Sequence, residues 1–243
     1  MSHILAIGGG GFQMEDDASP IDDYVVRLTG KPNPRICLLS TPSGDWPEYT
    51  EKFYSAFLRR QCQPSHLAFF IRDARPGAIA LAGCQEQLLA QDAIFVTGGN
   101  TRAALAVWRE WGIDKLLKQG LSEGMVLAGM SAGAMCWFEY ALTDSYWEPG
   151  YRPLPGLGLL PGACRVHYSD APDQRNRLHA AIAAGAVPST LAISDHAAVL
   201  FSGTAVERVV SWRGGSTAYS VSLEDGQVRE DAYPSESIAP LAG

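Results

Sequence analysis

The chain has 243 residues, 47% hydrophobic and 19% charged, with 19 basic residues against 26 acidic ones and a net charge of -7. This is globular composition, too apolar for a disordered chain and long enough for one large domain. No basic run exceeds Arg59-Arg60, so no nucleic-acid partner is expected, and no apolar stretch reaches the roughly 18 residues of a membrane-spanning helix.

In chain order, Ile4 to Ile7 reads as a first strand, closed by Gly8-Gly9-Gly10-Gly11. It has no basic leader and is too short for a signal-peptide core. The four glycines do not make a phosphate loop, because neither Gly-Lys-Ser/Thr nor a clear GxGxxG helix start follows. Further buried strands are expected at Ile36–Leu39, Leu67–Ile71, Ala93–Val96 and Met125–Ala128. Each is a short continuous apolar run, the pattern of strands covered on both faces. Between them, Pro47–Arg60, Arg102–Gly112 and Ile113–Gly120 read as helices, with Gly112 and Gly120 as stops. Strand and helix in alternation predict an α/β fold, a mostly parallel sheet flanked by helices, which binds ligands at the carboxyl ends of its strands. The last third alternates more. Ala192–Ser194, Ala197–Phe201, Arg208–Trp212 and Ala218–Leu223 are expected as antiparallel strands near the C-terminus. No linker-like shift in composition divides the chain, so residues 1–243 are read as one domain.

The five cysteines, Cys37, Cys62, Cys84, Cys136 and Cys164, are odd in number and form no CxxC pair. Neither a disulfide framework nor a zinc cage is expected, and reduced thiols suit a cytoplasmic protein. Cys37 and Cys136 lie in apolar runs and read as buried packing residues. No His/Cys/carboxylate cluster has metal-ligand spacing, so no metal and no cofactor are expected.

The strongest chemical signal is Gly129-Met130-Ser131-Ala132-Gly133, after an apolar strand and before a helix candidate opening at Ala132. This is the G-x-S-x-G elbow in its strand–turn–helix context, which exposes the serine hydroxyl at a strand end. The N–H of Ala132 would point at a developing oxyanion. Thr97-Gly98-Gly99-Asn100-Thr101 follows the neighbouring strand. There Gly99 is the candidate second oxyanion donor, and Asn100 or Thr101 is the candidate helix cap. Among five histidines, His167 follows Cys164-Arg165-Val166 at a strand end and is the first choice of base. His196, in Ser194-Asp195-His196, is the second. His3, His66 and His179 are placed away from the rim. A separate reading, an α/β-hydrolase-like esterase, would use Ser131, Asp170 and His196. A third is a ligand-binding member of the fold without turnover.

The G-M-S-A-G-A elbow, the upstream G-G-N-T and a histidine 36 residues after the serine (167 minus 131) resemble peptidase family S51. That family includes aspartyl dipeptidase (peptidase E) and cyanophycinase. Ser40-Thr41-Pro42, Trp46-Pro47-Glu48-Tyr49 and Ile193-Ser194-Asp195 extend the similarity to about Phe201. The resemblance implies a class I glutamine amidotransferase-like fold and a serine exopeptidase acting on dipeptides or short peptides, Asp-X included. It places the nucleophile on Ser131, the base on His167 and the oxyanion donors on Gly99 and Ala132. The triad acid falls on Asp144, with Glu139 as competitor and Asp170 and Asp195 as further candidates. Arg165, Arg175 and Arg177 are the candidates for binding an acidic substrate side chain. The aromatics Trp137, Phe138, Tyr146 and Trp147 are candidates either to line a different pocket or simply to pack the elbow helix. The expected partner is a small peptide substrate, with no membrane, and self-association is left open.

Overall fold

The computed structural model describes residues 2–16, 18–168 and 172–239. In chain order the strands are β1 (His3–Ile7), β2 (Arg35–Leu39), β3 (Gln63–Leu67), β4 (Ala78–Ile79), β5 (Ala93–Val96), β6 (Val126–Met130), β7 (Phe138–Thr143), β8 (Arg152–Pro155), β9 (Leu160–Val166), β10 (Thr190–Ile193), β11 (Ala197–Ser202), β12 (Ala205–Ser211), β13 (Ala218–Glu224), β14 (Gln227–Ala232) and β15 (Ser235–Ser237). The helices are α1 (Pro20–Leu28), α2 (Pro47–Leu58), α3 (Cys84–Leu89), α4 (Thr101–Trp111), α5 (Ile113–Ser122), α6 (Ala132–Met135) and α7 (Pro172–Ala183).

Two sheets form among the described residues. The larger runs β15-β12-β11-β1-β6-β5-β2-β3-β4. From β1 to β4 it is parallel, and β11 and β12 join antiparallel beyond β1. The second sheet runs β14-β13-β10-β9-β7-β8, with β7, β9 and β10 parallel to one another.

The period-2 alternation of the parallel strands sets the layers. Leu5, Ile7, Ile36, Leu38 and Phe95 face one way and pack with Ile21 and Val25 of α1 and Phe53 and Phe57 of α2. Ile4, Ala6, Cys37, Leu39, Ile94 and Val96 face the other way, toward Leu105 and Trp108 of α4 and Leu117 of α5. The same apolar cluster takes in Phe138, Ala141, Cys164, Val166 and Ile193 of the second sheet. Helix α7 covers the far side of that sheet through Leu178 and Ile182. Cys37 and Cys136 are buried in the cluster, and burial pushes both thiols up, Cys37 to about 12.

Local sequence explains most boundaries. Proline sits in the first turn of α1 and α2, where its missing N–H costs nothing. Asn100 caps α4 by accepting from the N–H of Ala103 at 2.9 Å, and Gly112, at φ 70°, ends it.

Three expectations are corrected. The third strand lies at Gln63–Leu67 rather than Leu67–Ile71, because the N–H groups of Phe69 and Phe70 donate to the Asp45 carboxylate instead of a neighbouring strand. The helix after Ser131 lasts four residues. The aromatic and β-favouring run from Trp137 to Thr143 then enters β7, which puts Glu139 on a strand. The late strands divide between the two sheets, and β10 is parallel to β9, with Val166 opposite Ile193.

Candidate active site

Ser131 follows β6 directly and precedes α6, with φ 55° and ψ -113°. A non-glycine residue at positive φ is strained, and such strain collects at functional sites. The turn is tight enough to dictate its flanking residue. A Cβ on Gly133 would stand 2.3 Å from the carbonyl oxygen of Val96 in β5, so only glycine fits there. The N–H of Ser131 donates to the Ile7 carbonyl at 3.0 Å, tying the turn to the end of β1.

His167 follows β9, also at positive φ (55°). Its Nε2 lies 2.8 Å from Ser131 Oγ. Its Nδ1 lies 2.6 Å from Asp195 Oδ1. Asp195 stands two residues beyond β10, and the parallel pairing of β9 with β10 brings the two strand ends to one rim. The carboxylate is buried and the imidazole partly exposed. With Nδ1–H donating to the carboxylate, Nε2 is left as the acceptor of the serine proton.

The glycine run after β1 serves this pair. A Cβ on Gly9 would lie 1.9 Å from Asp195 Oδ1 and 3.1 Å from His167 Cε1. The Gly9 carbonyl accepts from the His196 N–H at 2.8 Å, holding the backbone beside Asp195. Past the glycines, the Gln13 side-chain oxygen accepts from the Gly98 N–H at 2.9 Å and so fixes the loop that carries Gly99. That loop is held from its other side by the N–H of Asn100 donating to the Pro42 carbonyl at 2.7 Å.

The structure brings Ser131, His167, Gly99 and Ala132 to one place. Ser131, His167 and Gly99 line a cleft of about 370 Å³ together with Gln13, Met14, Ser43, Trp46, Tyr49, Gly98 and Met130. Ala132 opens α6 next to the serine. Asp144 is not the partner of His167 Nδ1; that place belongs to Asp195. Strand β9 has β7 on one side and β10 on the other, and the imidazole turns toward the β10 side. Asp144, just beyond β7, is exposed, and its charge acts on Arg165. Glu139 is exposed and accepts from the Gly162 N–H. Asp170 lies outside the described residues.

His196 is engaged elsewhere. Its Nδ1 is 3.1 Å from Glu15 Oε1, which also accepts from Trp212 Nε1 at 3.0 Å. The three candidate arginines have these partners in the structure. Arg165 is buried, bonds the Leu142 carbonyl and Gln174, and stacks on Tyr151. Arg175 pairs with Glu230 over the rings of Tyr168 and Tyr219, and Arg177 pairs with Asp173. Trp137 and Phe138 belong to the buried core and Trp147 is fully exposed, so the aromatic wall of the cleft is Trp46 and Tyr49 instead. No group of three or more His, Cys, Asp or Glu side chains that could hold a metal ion forms among the described residues. No helix of the described residues is long and apolar enough to cross a membrane.

An α/β sheet with a serine and a histidine meeting at its strand ends fits a hydrolase, and the comparisons make that class peptidase. The chain is 39% identical over 234 residues, 96% of its length and 98% of the relative's, to an uncharacterized peptidase of Bacillus subtilis (strain 168), YgaJ. It belongs to peptidase family S51, whose sequence model matches residues 4–209. Solved structures share the fold. A candidate peptidase E protein from Listeria monocytogenes EGD-e superposes with a TM-score of 0.62 at 18% identity, over 88% of this chain and 98% of that one. A peptidase from an acI-B1 Actinobacterium does so with a TM-score of 0.66 at 14% identity, over 96% and 97%.

Proposed function

We propose that the protein is a serine peptidase that cleaves short peptides through an acyl-enzyme, with Ser131 as nucleophile, His167 as general base and Asp195 as the acid that orients it. The observation that carries this reading is the continuous contact from Ser131 Oγ through His167 to Asp195, at 2.8 Å and 2.6 Å. Both distances lie in the range that proton transfer and charge-assisted hydrogen bonding require.

Ser131 Oγ attacks the scissile carbonyl carbon while its proton passes to His167 Nε2. The imidazolium is stabilised by Asp195. The carbonyl oxygen becomes an oxyanion between the N–H groups of Gly99 and Ala132, each such donor being worth about 10²–10³ in rate. His167 then gives its proton to the leaving amine, the C–N bond breaks and the acyl group stays on Ser131. Water, deprotonated by the same imidazole, releases it. A cleft of about 370 Å³ is at the small end for ligand pockets and suits a dipeptide or the end of a short peptide.

The test is hydrolysis of a panel of Asp-X, Glu-X, Ala-X, X-Pro and β-aspartyl dipeptides, with Ser131→Ala as control. Turnover of at least one member that falls by 10³ or more in Ser131→Ala is the expected result. Turnover that persists in the variant, or folded protein that turns over no member, contradicts the reading.

A further inference from the structure

His196 and the residues that follow the glycine run of β1 take no step in the proposed mechanism, yet they meet behind the triad acid. His196 directly follows Asp195 and stands at φ 57°, a backbone conformation that non-glycine residues rarely adopt. The peptide joining the two residues sets where the Asp195 carboxylate points, so whatever holds His196 in this strained state also aims the acid.

The backbone of this turn is held on three sides. The Ser194 N–H donates to the Thr217 carbonyl at 3.0 Å, the His196 N–H to the Gly9 carbonyl at 2.8 Å, and the Trp212 N–H to the His196 carbonyl at 3.1 Å. The side chain is held by Glu15. One carboxylate oxygen, Oε1, accepts from His196 Nδ1 at 3.1 Å and from Trp212 Nε1 at 3.0 Å. A carboxylate only accepts, so this contact puts the His196 proton on Nδ1. The two rings meet edge to face, 5.8 Å between centroids and 90° between planes. The side chains of Glu15 and His196 are 20% and 14% exposed, so the bond is largely shielded from water.

Glu15 is itself firmly footed. Its N–H and that of Met14 both donate to the Gly11 carbonyl, at 2.9 and 3.0 Å. Two residues earlier, Gln13 is bonded to the Gly98 N–H at 2.9 Å. The glycines let this segment pass close under the turn. A Cβ on Gly10 would lie 2.5 Å from the Trp212 ring and 3.4 Å from His196 Nδ1. Residues 9–15 thus leave the triad acid at Gly9 and return to it at Glu15.

Building on the serine-peptidase reading, we propose that Glu15 is a positioning residue for the reaction: by holding His196 it fixes the peptide that aims the Asp195 carboxylate at His167. It touches no reacting atom. What it supplies is an acceptor at a fixed place rather than a charge, and displacing a catalytic group by about 1 Å lowers the rate by about 10².

The experiment measures kcat and KM for the best dipeptide of the panel on the wild type, Ser131→Ala, Glu15→Ala, Glu15→Gln, Asp195→Asn and the double variant Glu15→Ala/Asp195→Asn, with circular dichroism to confirm folding. Proton NMR without substrate follows the His167 Nδ1 proton, which its short bond to Asp195 shifts far downfield. Glu15→Ala should lower kcat about 10- to 100-fold, with KM within about threefold, and should displace or remove that resonance. Glu15→Gln keeps an oxygen acceptor and should retain the resonance and kcat within about fivefold. In the Asp195→Asn background, Glu15→Ala should cost less than about threefold more, because the group it aims has already lost its function. His196→Ala cuts the same bond from the other end and should match Glu15→Ala; it serves in its place if that variant does not fold. Wild-type kcat in Glu15→Ala, an unchanged resonance, a Glu15→Gln enzyme as impaired as Glu15→Ala, or losses that multiply in the double variant would each overturn the positioning role, while Ser131-dependent turnover keeps the mechanism standing. A wild type without Ser131-dependent turnover overturns the peptidase reading and the catalytic role with it; a resonance still lost in Glu15→Ala then assigns the failure to the mechanism and not to the geometry.

Discussion

Replacing Asp195 by Asn removes one negative charge and changes few atoms, so it isolates what the carboxylate contributes. In the wild type Oδ1 lies 2.6 Å from His167 Nδ1, and the carboxylate is buried. Two effects are lost together. A hydrogen bond to a charged group contributes about 1.5–3 kcal/mol. The attraction between carboxylate and imidazolium, roughly 4 Å between charge centres, is about 4 kcal/mol at an effective dielectric of 20. These overlap, and at about 1.4 kcal/mol per decade they set a loss of about 10³ in kcat. An Asn that turns its NH₂ toward Nδ1 also forces the wrong tautomer, and in serine-protease triads this substitution lowers kcat about 10⁴-fold. The expected result is therefore a kcat 10³–10⁴ lower with KM changed by only a few-fold. The assay is steady-state hydrolysis of the best dipeptide of the panel, with circular dichroism to confirm folding. Asp144→Asn, altering an exposed carboxylate beyond β7, should stay within about twofold, as an exposed group far from the imidazole contributes little. An Asp195→Asn enzyme within threefold of wild type, or a collapse of activity in Asp144→Asn, refutes the assignment.

Gln13→Leu leaves the Gly98 N–H without its acceptor and loosens the loop carrying Gly99. We expect kcat to fall about 10- to 100-fold with KM little changed, since a misplaced oxyanion donor acts in the transition state, and Gln13→Glu to retain more activity because its oxygen still accepts; equal activity in wild type and Gln13→Leu would remove the positioning role. Asp22 is buried beneath the turn Gly11–Gln13, accepts from the Phe12 N–H at 3.3 Å, and burial raises its pKa from 3.8 to about 7. The folded state thus holds a proton that the unfolded chain has released, so stability falls as pH rises from about 4 through 7, by an amount approaching 4 kcal/mol. Urea unfolding at pH 5 and pH 8 should show about 2–3 kcal/mol of this loss in the wild type and not in Asp22→Asn; equal losses in both would contradict it. Gly133→Ala puts a methyl 2.3 Å from the Val96 carbonyl and should cost several kcal/mol or abolish folding, read from the same unfolding curves.

How much of this was legible in the sequence depended on whether a signal was local. The Ser131 turn combines a strand, a sharp bend and small flanking residues within a few positions, and Thr97–Thr101 is a strand end running into a capped helix. Buried Cys37 and Cys136 followed from their apolar neighbours. Asp195 was passed over for Asp144 because its place depends on pairing. It lies next to His167 only because β9, α7 and β10 form a crossover that sets β10 parallel to β9. That unit was hard to read. Among the described side chains of α7 only Leu178 and Ile182 are deeply buried apolar residues, and β9 opens with Leu-Pro-Gly. Recognising strand, helix and strand across 160–193 would have put the residues after both strands at one rim. The glycine run after β1 showed no ligand motif because its requirement is steric, a backbone passing against a carboxylate more than 180 residues away. The aromatic wall was missed for a related reason. Tyr49 was read as part of the helix Pro47–Arg60 and Trp46 only as part of the family likeness, and the bond from Asn100 N–H to the Pro42 carbonyl ties the segment before them to the loop of Gly99.

On the proposed mechanism, peptide cleavage passes through an ester on Ser131. Its most direct test is the intact mass of the protein, acid-quenched during turnover of an activated ester of the preferred acyl residue, followed by peptide mapping. One acyl adduct per chain is expected, mapped to Ser131, absent in Ser131→Ala and depleted in His167→Ala. Turnover at the wild-type rate by Ser131→Ala, or an adduct on another residue, would contradict it.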